Sequence, residues 1–395
     1  MNKAILSKEV QEFITNSLDA NIAKLALSKN PFPSIEWKEI INQIVSKQKS
    51  KTKLPLWFAT ENIYYPQSLS IEQTSSELTA KFKAELLKGN TLIDLTGGLG
   101  VDCYYFSKKI SHVYHCEINE ELSEIAAHNY EQLKTSSITC IAMNSSAFLK
   151  ETDLLFDYIY IDPSRRSDSK GKVFMLKDCL PNVPENLNFY FEKTNQIAIK
   201  TAPLLDITAG LKELTNVKAI HVVAIANEVK ELLWLLEKNY SGEIVISAHN
   251  IQPTKTDTTS FILGSDEQLS YSLPKQFIYE PNAAILKSGG VNFLCKELSL
   301  SKLQHHSHLF TTDSIIDFPG RRFHINQIVP FTKKEIKKHI QNKKMNVTTR
   351  NFPLAVEEIK KKYNITDGGS MYAFFTTSIN DEKIVLLCTK LNSNE

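Results

Sequence analysis

The chain reads as an α/β protein in which a doubly wound sheet is preceded by a helical region and followed by a smaller α+β region. Three observations predict this. Strand-like and helix-like patterns alternate from Thr91 to His249, as parallel sheets with crossover helices require. Thr91–Gly100 (TLIDLTGGLG) runs a buried-strand pattern straight into a glycine-rich turn. Beyond Lys333 the pattern becomes helix, strand, helix, then two apolar strands around Asp367-Gly-Gly369.

Taken in order, residues 1–74 read as helical. Leu6, Val10, Phe13, Ile14, Leu18, Ile22 and Leu25 recur at helical spacing, and Asn30-Pro31-Phe32-Pro33 breaks the pattern before a helix from Ile35 to Val45. Lys47, Lys49, Lys51 and Lys53 alternate with polar residues and read as a solvated linker; if extended, it carries four cations on one face. Thr74-x-x-Glu77 has the form of a capping box opening a helix from Glu77 to Leu87, closed by Gly89.

The sheet region, 75–270, is expected to hold strands at 92–95, 112–116, 138–142, 156–161, 196–200, 218–225 and 243–249. Helices are expected at 101–109, 120–134 and 228–238. A small α+β unit follows at 278–325, with two short helices split by Gly289-Gly290. The tail, 326–395, carries a basic helix from Lys333 to Gln341, a strand from Met345 to Thr349, a helix from Leu354 to Lys362, and strands Met371–Thr377 and Lys383–Thr389.

With 395 residues, 42% hydrophobic and 23% charged, the chain has the composition of a soluble globular protein of two to four domains. No apolar run reaches the ~18 residues of a membrane span, and Met1–Phe13 lacks a signal-peptide core, so a cytoplasmic location and no membrane partner are expected. The six cysteines form no C-x-x-C; buried thiols are expected, with no metal site. Charge is uneven. Lys333–Lys362 holds ten Lys or Arg against three acids, a local +7 within a chain of net +2, which leaves −5 elsewhere. Such a segment suits a polyanion, although solvated helix faces also look like this.

The candidate site lies at strand ends. Gly97, Gly98 and Gly100 let backbone N–H groups approach a ligand. Glu117 ends the second strand, 17 residues after Gly100, near the spacing at which an acid takes ribose hydroxyls. Asp162-Pro163 ends a later strand, where doubly wound sheets put their chemistry. An NAD-binding domain is the rival for the first two features, but Cys103 stands where its third glycine belongs.

Together these segments resemble the class I S-adenosylmethionine (SAM) methyltransferases, with their Rossmann-like sheet, glycine loop, second-strand acid and [D/N]-P-P-x motif. The tail resembles the THUMP-like domains appended to RNA methyltransferases. End to end the chain is similar to methyltransferases with an N-terminal helical region, a small ferredoxin-like insert and such a tail. The resemblance implies SAM as cofactor, with Asp94, Thr96, Gly97, Gly98 and Gly100 around its methionine portion, Glu117 on the ribose, and Ile118, Asn144 and Ser145 (or Ser146) on the adenine. It implies structured RNA, tRNA or rRNA, as partner. For the acceptor, Asp162, Pro163, Ser164 and Arg165 stand in the motif that holds an exocyclic amine, Arg165 (followed by Arg166) replacing the usual aromatic. A ribose 2′-O mechanism is the alternative: Asp162, Lys200 and Glu228, with Lys81 or Lys83 upstream, follow the order of a Lys-Asp-Lys-Glu set. A small-molecule methyltransferase and a non-catalytic, RNA-binding SAM sensor also remain open.

Overall fold

The computed structural model describes residues 1–165, 175–264 and 269–391. They form two compact units: Met1–Lys218 with Leu233–Gly242, and Ala219–Leu232 with Glu243–Glu395.

The first unit begins with helices α1 (Lys8–Asn16), α2 (Ile22–Ala26), α3 (Trp37–Lys53), α4 (Pro55–Ala59), α5 (Ser68–Gln73) and α6 (Glu77–Leu86). The sheet region then runs β1 (Thr91–Asp94), α7 (Val101–Phe106), β2 (His112–Cys116), α8 (Glu120–Gln132), β3 (Ile138–Ile141), α9 (Ser145–Glu151) and β4 (Tyr158–Ile161). A two-residue ribbon, β5 (Ser164–Arg165) with β6 (Cys179–Leu180), precedes α10 (Val183–Tyr190), β7 (Gln196–Thr201) and α11 (Ile207–Glu213). The order β3-β2-β1-β4-β7 is parallel throughout. Strands leave β1 in both directions, so β1 and β4 flank the point where connection order reverses, and a crevice opens at their carboxyl ends. One apolar core joins the N-terminal helices to this sheet, through Ile40, Ile44, Trp57, Phe106 and Tyr160.

Three expectations fail here. The lysines at 47–53 belong to α3, not to an extended linker; Lys49 pairs with Glu72, and the Lys53 ammonium donates to the Glu72 carbonyl at 2.6 Å. Thr74 does not cap α6. Ser76 does, its hydroxyl accepting from the Thr79 N–H at 3.2 Å, while the buried Glu77 carboxylate receives the Tyr105 hydroxyl at 2.8 Å. The helix expected at 228–238 is a strand, β9 (Glu228–Glu237), following β8 (Val217–Ile225). Glu231, Leu232, Leu233 and Trp234 are consecutively buried, which a strand covered on both faces provides and an amphipathic helix cannot. The Ala226-Asn227 loop, with φ of 48° and 68°, turns the chain straight back.

In the second unit β8 pairs with β10 (Val245–Ile251) in parallel, and β10 with β11 (Thr256–Ile262) antiparallel. There follow β12 (Ser270–Tyr271), β13 (Phe277–Pro281), α12 (Ala283–Ser288), α13 (Val291–Glu297), β14 (Ser301–Lys302), β15 (Phe310–Thr312), β16 (Gly320–Pro330), α14 (Lys333–His339), β17 (Asn346–Arg350), α15 (Val356–Tyr363), β18 (Met371–Thr377) and β19 (Lys383–Lys390). They make one sheet, ordered β12-β14-β15-β13-β16-β19-β18-β17. The expected boundary at 325/326 falls inside β16, which pairs with β13 on one side and β19 on the other. Ile336 of α14 and Ile359 of α15 pack on the sheet face that presents Val329, Phe375 and Val385.

Candidate active site

The first unit holds a cavity of about 520 Å³ at the carboxyl ends of β1, β2 and β4. Its wall at β1 is fixed by hydrogen bonds. Asp94 Oδ1 accepts from the Thr96 N–H at 2.8 Å and the Thr96 hydroxyl at 3.1 Å, and Cys103 Sγ lies 3.3 Å from Oδ2. Burial pushes the Asp94 carboxyl up to about 7 despite the Thr96 bonds, and the nearby Asp102 charge adds to the rise. Two glycines are sterically required. A Cβ on Gly97 would meet His115 Nε2 at 2.4 Å, and one on Gly100, where φ is +83°, would meet the Tyr130 hydroxyl at 1.8 Å. His115 Nε2 lies 3.1 Å from the Gly98 carbonyl, and burial holds the ring's pKa below its ordinary value.

The second wall is Glu117. Its Oε2 accepts the Gly98 N–H at 2.9 Å and its Oε1 the Asn119 N–H at 2.8 Å. Each oxygen keeps a lone-pair site for a ligand hydroxyl. Ile118 stands 67% exposed beside it, an apolar surface at the cavity that nothing in the fold covers among the described residues. Asn144 and Ser145 also line the cavity, although the Asn144 side-chain oxygen is used to cap α9 at the Ala147 N–H, leaving its amide N–H groups to face a ligand.

The third wall is the end of β4. The Thr96 hydroxyl accepts the Asp162 N–H at 2.7 Å, so one side chain ties the glycine loop to the Asp-Pro segment. Lys200, from β7, donates to Asp162 Oδ2 at 2.6 Å. Asp162 and Ser164 line the cavity; Pro163 is buried, and Arg165 is half-buried on the β5–β6 ribbon. Arg166 lies outside the described residues. Of the other expected lysines, Lys81 pairs with Glu77, and Lys83 lies fully buried, 3.1 Å from Asp102 Oδ1. Glu228 opens β9 in the second unit, pairs with Lys230 at 2.7 Å, and is no part of the cavity lining.

Sequence reading missed the cavity floor and rim. Asp102 accepts from the Ser75 and Tyr160 hydroxyls at 2.8 Å each, and Lys83 donates to Ser75 at 2.9 Å. Burial raises the Asp102 carboxyl, but Lys83, Lys200 and the two hydroxyls outweigh it and hold its pKa below the usual range. Asp102, Ser75 and Tyr160 face the cavity, and so do Ser70 and Gln73 from α5, Leu180 from the ribbon and Pro181 just after it. The one available signal was an acid in the first turn of a helix whose other residues are apolar, V-D-C-Y-Y-F.

A nucleoside cofactor with an amino-acid tail fits these groups. The volume is in the range of small-ligand pockets. The glycine loop has no room for side chains at Gly97 and Gly100, and Glu117 offers unfilled acceptor sites beside an exposed apolar side chain. No group of His, Cys, Asp and Glu among the described residues could hold a metal. No described helix is long and apolar enough to cross a membrane.

Comparison with known proteins extends this. Residues 277–319 match a ferredoxin-like domain family, and residues 320–390 match the THUMP domain-like family. No curated protein matches the sequence significantly. Among solved structures, a protein of Porphyromonas gingivalis W83 provisionally described as a methyltransferase is 28% identical, covering 99% of both chains with a TM-score of 0.88. An rRNA methylase of Streptococcus thermophilus overlays 41% of this chain and 94% of its own at 17% identity, with a TM-score of 0.30, too low to carry weight. The chain is therefore a methyltransferase by fold, with a ferredoxin-like and a THUMP-like domain in its C-terminal region.

Proposed function

We propose that this protein is a cytoplasmic SAM-dependent methyltransferase that modifies structured RNA, tRNA or rRNA, at an exocyclic base amine. The observation that carries the reading is the Lys200–Asp162 pair at one end of a cavity whose other end is the glycine loop and Glu117. When bound, SAM supplies an electrophilic methyl group on a sulfonium. Glu117 would hold the ribose hydroxyls, Ile118 and Asn144 the adenine, and Asp94 with the Gly97–Gly100 loop the methionine end. Lys200 occupies one oxygen of Asp162, which fixes the carboxylate and leaves Oδ1 to accept a hydrogen from the acceptor amine. The nitrogen lone pair is thereby directed into the cavity, where proximity and orientation do most of the work. Ser164 and Arg165, beside Asp162, would touch the flanking base or phosphate. The THUMP-like match and the basic tail support RNA as the acceptor.

The ribose 2′-O reading draws support from the same lysine–carboxylate contact. Its fourth position is not filled as expected, since Glu228 is not among the described residues that line the cavity and pairs with Lys230.

The test is transfer of an isotopically labelled methyl group from SAM to RNA extracted from cells lacking the gene, read as labelled nucleosides by mass spectrometry. A labelled base amine is expected. Label on a ribose oxygen selects the second reading, and no label on any RNA removes RNA as the acceptor.

A further inference from the structure

The lysines of the tail are scattered through thirty residues of sequence, but the fold gathers most of them at one place. The turn after α14 is tied to the end of α15 by backbone bonds: the Asn342 N–H donates to the Tyr363 carbonyl at 2.9 Å, the Thr366 N–H to the Lys343 carbonyl at 3.1 Å, and the Met345 N–H to the Thr366 carbonyl at 3.0 Å. Asn364 Nδ2 donates to Asn342 Oδ1 at 2.9 Å across the same junction. This brings Lys343 and Lys344 beside Lys361 and Lys362, with Lys337 and Lys338 on the last turn of α14 just before. All six are exposed, and none pairs with a carboxylate among the described residues.

The acids of the segment are committed elsewhere. Glu335 pairs with His339, Glu357 and Asp367 both pair with Lys360, and the Glu358 carboxylate accepts the Ala355 N–H at 2.7 Å. Arg350, one of the ten cations, is also committed: it pairs with Glu280, which is 4% exposed and is held by Arg321 as well.

The aromatic rings of the domain pack mostly against one another. Phe331, Phe352 and Phe375 pack edge-on against one another, with ring centroids 4.9 and 5.5 Å apart, and Tyr363 joins them. Phe323, Tyr372 and Phe374 pack together as a second such set. Among the described residues of the THUMP-like domain no aromatic side chain stands fully exposed; Phe331, Phe352, Tyr363 and Tyr372 are half-buried, and the Lys362 ammonium covers the Tyr363 ring at 5.5 Å from its centroid. Single-stranded RNA is held by stacking bases on exposed rings, whereas duplex RNA is held by its phosphates and shape.

We infer that the junction of α14, its following turn and the end of α15 is a phosphate-binding face that takes the backbone of double-stranded RNA, and not an unpaired loop or end. The inference rests on the RNA reading above. Lys333 and Lys334, on the first turn of α14, lie outside the junction.

The test uses the full-length chain, a fluorescent RNA duplex of about 20 base pairs and one of its strands, with binding followed by anisotropy across a salt series. The duplex should bind more tightly than the strand. Replacing Lys343, Lys344, Lys361 and Lys362 together by Gln should reduce the slope of log affinity against log salt by about four, roughly one per lost phosphate contact, while the Lys333→Gln/Lys334→Gln variant changes it by about one or less. These are surface positions, and circular dichroism with urea unfolding of the quadruple variant, measured in parallel, reports that the tail, which has its own apolar core, is folded. A strand that binds as well as the duplex, or a quadruple variant with the parental slope, overturns the inference and leaves the RNA reading in place. Failure of the parent to bind either RNA overturns both.

Discussion

Lys83 and Lys200 in the first unit and the six junction lysines in the tail are chemically identical, yet the fold treats them as opposites. Lys83 is fully buried against Asp102 and Ser75, and Lys200 is 14% exposed against Asp162. A buried cation costs several kcal/mol of lost hydration unless a carboxylate and hydrogen bonds replace the water, so each of these lysines comes with its acid. The junction lysines are exposed and have no acid partner among the described residues. The first arrangement fixes geometry at the cavity and is insensitive to salt. The second leaves charge free for a polyanion and is salt-dependent throughout. Position relative to solvent, not residue type, separates the cavity lysines from the junction lysines.

Breaking the half-buried Lys200–Asp162 pair at the acceptor end should have the largest effect. Asp162→Ala should abolish methyl transfer to RNA while SAM affinity, measured by calorimetry, changes little, because the carboxylate faces the acceptor. Lys200→Ala sharpens this. A modest loss of turnover is expected if Lys200 only holds Asp162, and a loss as severe as that of Asp162→Ala would make it the base of a ribose mechanism.

The second effect is on stability. Lys83→Met leaves Asp102 buried without its main partner and should destabilise the first unit by about 3–5 kcal/mol, read from urea unfolding. The double variant Lys83→Met/Asp102→Leu should recover much of that loss, because both charges are then gone. A smaller effect is expected at the donor end. Glu117→Ala should weaken SAM binding by about 1–3 kcal/mol, from lost hydrogen bonds to a charged acceptor. Unchanged affinity in a folded variant would remove Glu117 from the site.

These sites were legible in the sequence to different degrees. Strand β1, the glycine loop, Glu117 and Asp162-Pro163 could be read because each is local: an apolar run, a turn that excludes side chains, an acid at a strand end. The tail's strands and helices could be read for the same reason. Strand β9 could not. Its run E-L-L-W-L-L-E suits a helix period as well as a doubly covered strand, and only the left-handed turn at Ala226-Asn227 and burial on both faces decide between them. The Ser75–Lys83–Asp102–Tyr160 cluster was hidden because it joins α6 and the loop before it to α7 and β4, and a lysine destined for burial looks like any surface lysine on an amphipathic helix. The junction of the tail was hidden likewise, since the bonds between 342–345 and 363–366 are tertiary.

The last effect is on the pH dependence of stability, and it distinguishes the two carboxylates next to the loop. Asp102 has cations and hydroxyls around it and titrates below the usual range, whereas Asp94 has only Thr96 and Cys103 and is pushed up to about 7. An acid that is harder to ionise in the fold than in the unfolded chain makes the native state bind more protons between the two pKa values. Stability therefore falls as pH rises from about 4, the unfolded value, to about 7, and is level above that. Asp94→Asn should flatten this part of the profile of melting temperature against pH, measured without SAM, while retaining the amide oxygen as acceptor for Thr96. A cofactor ammonium beside Asp94 would favour its ionised form, so saturating SAM should flatten the parent's profile in the same window. If parent and variant run parallel from pH 4 to 7, the Thr96 bonds outweigh burial, Asp94 is ionised throughout, and the contrast with Asp102 is only one of packing.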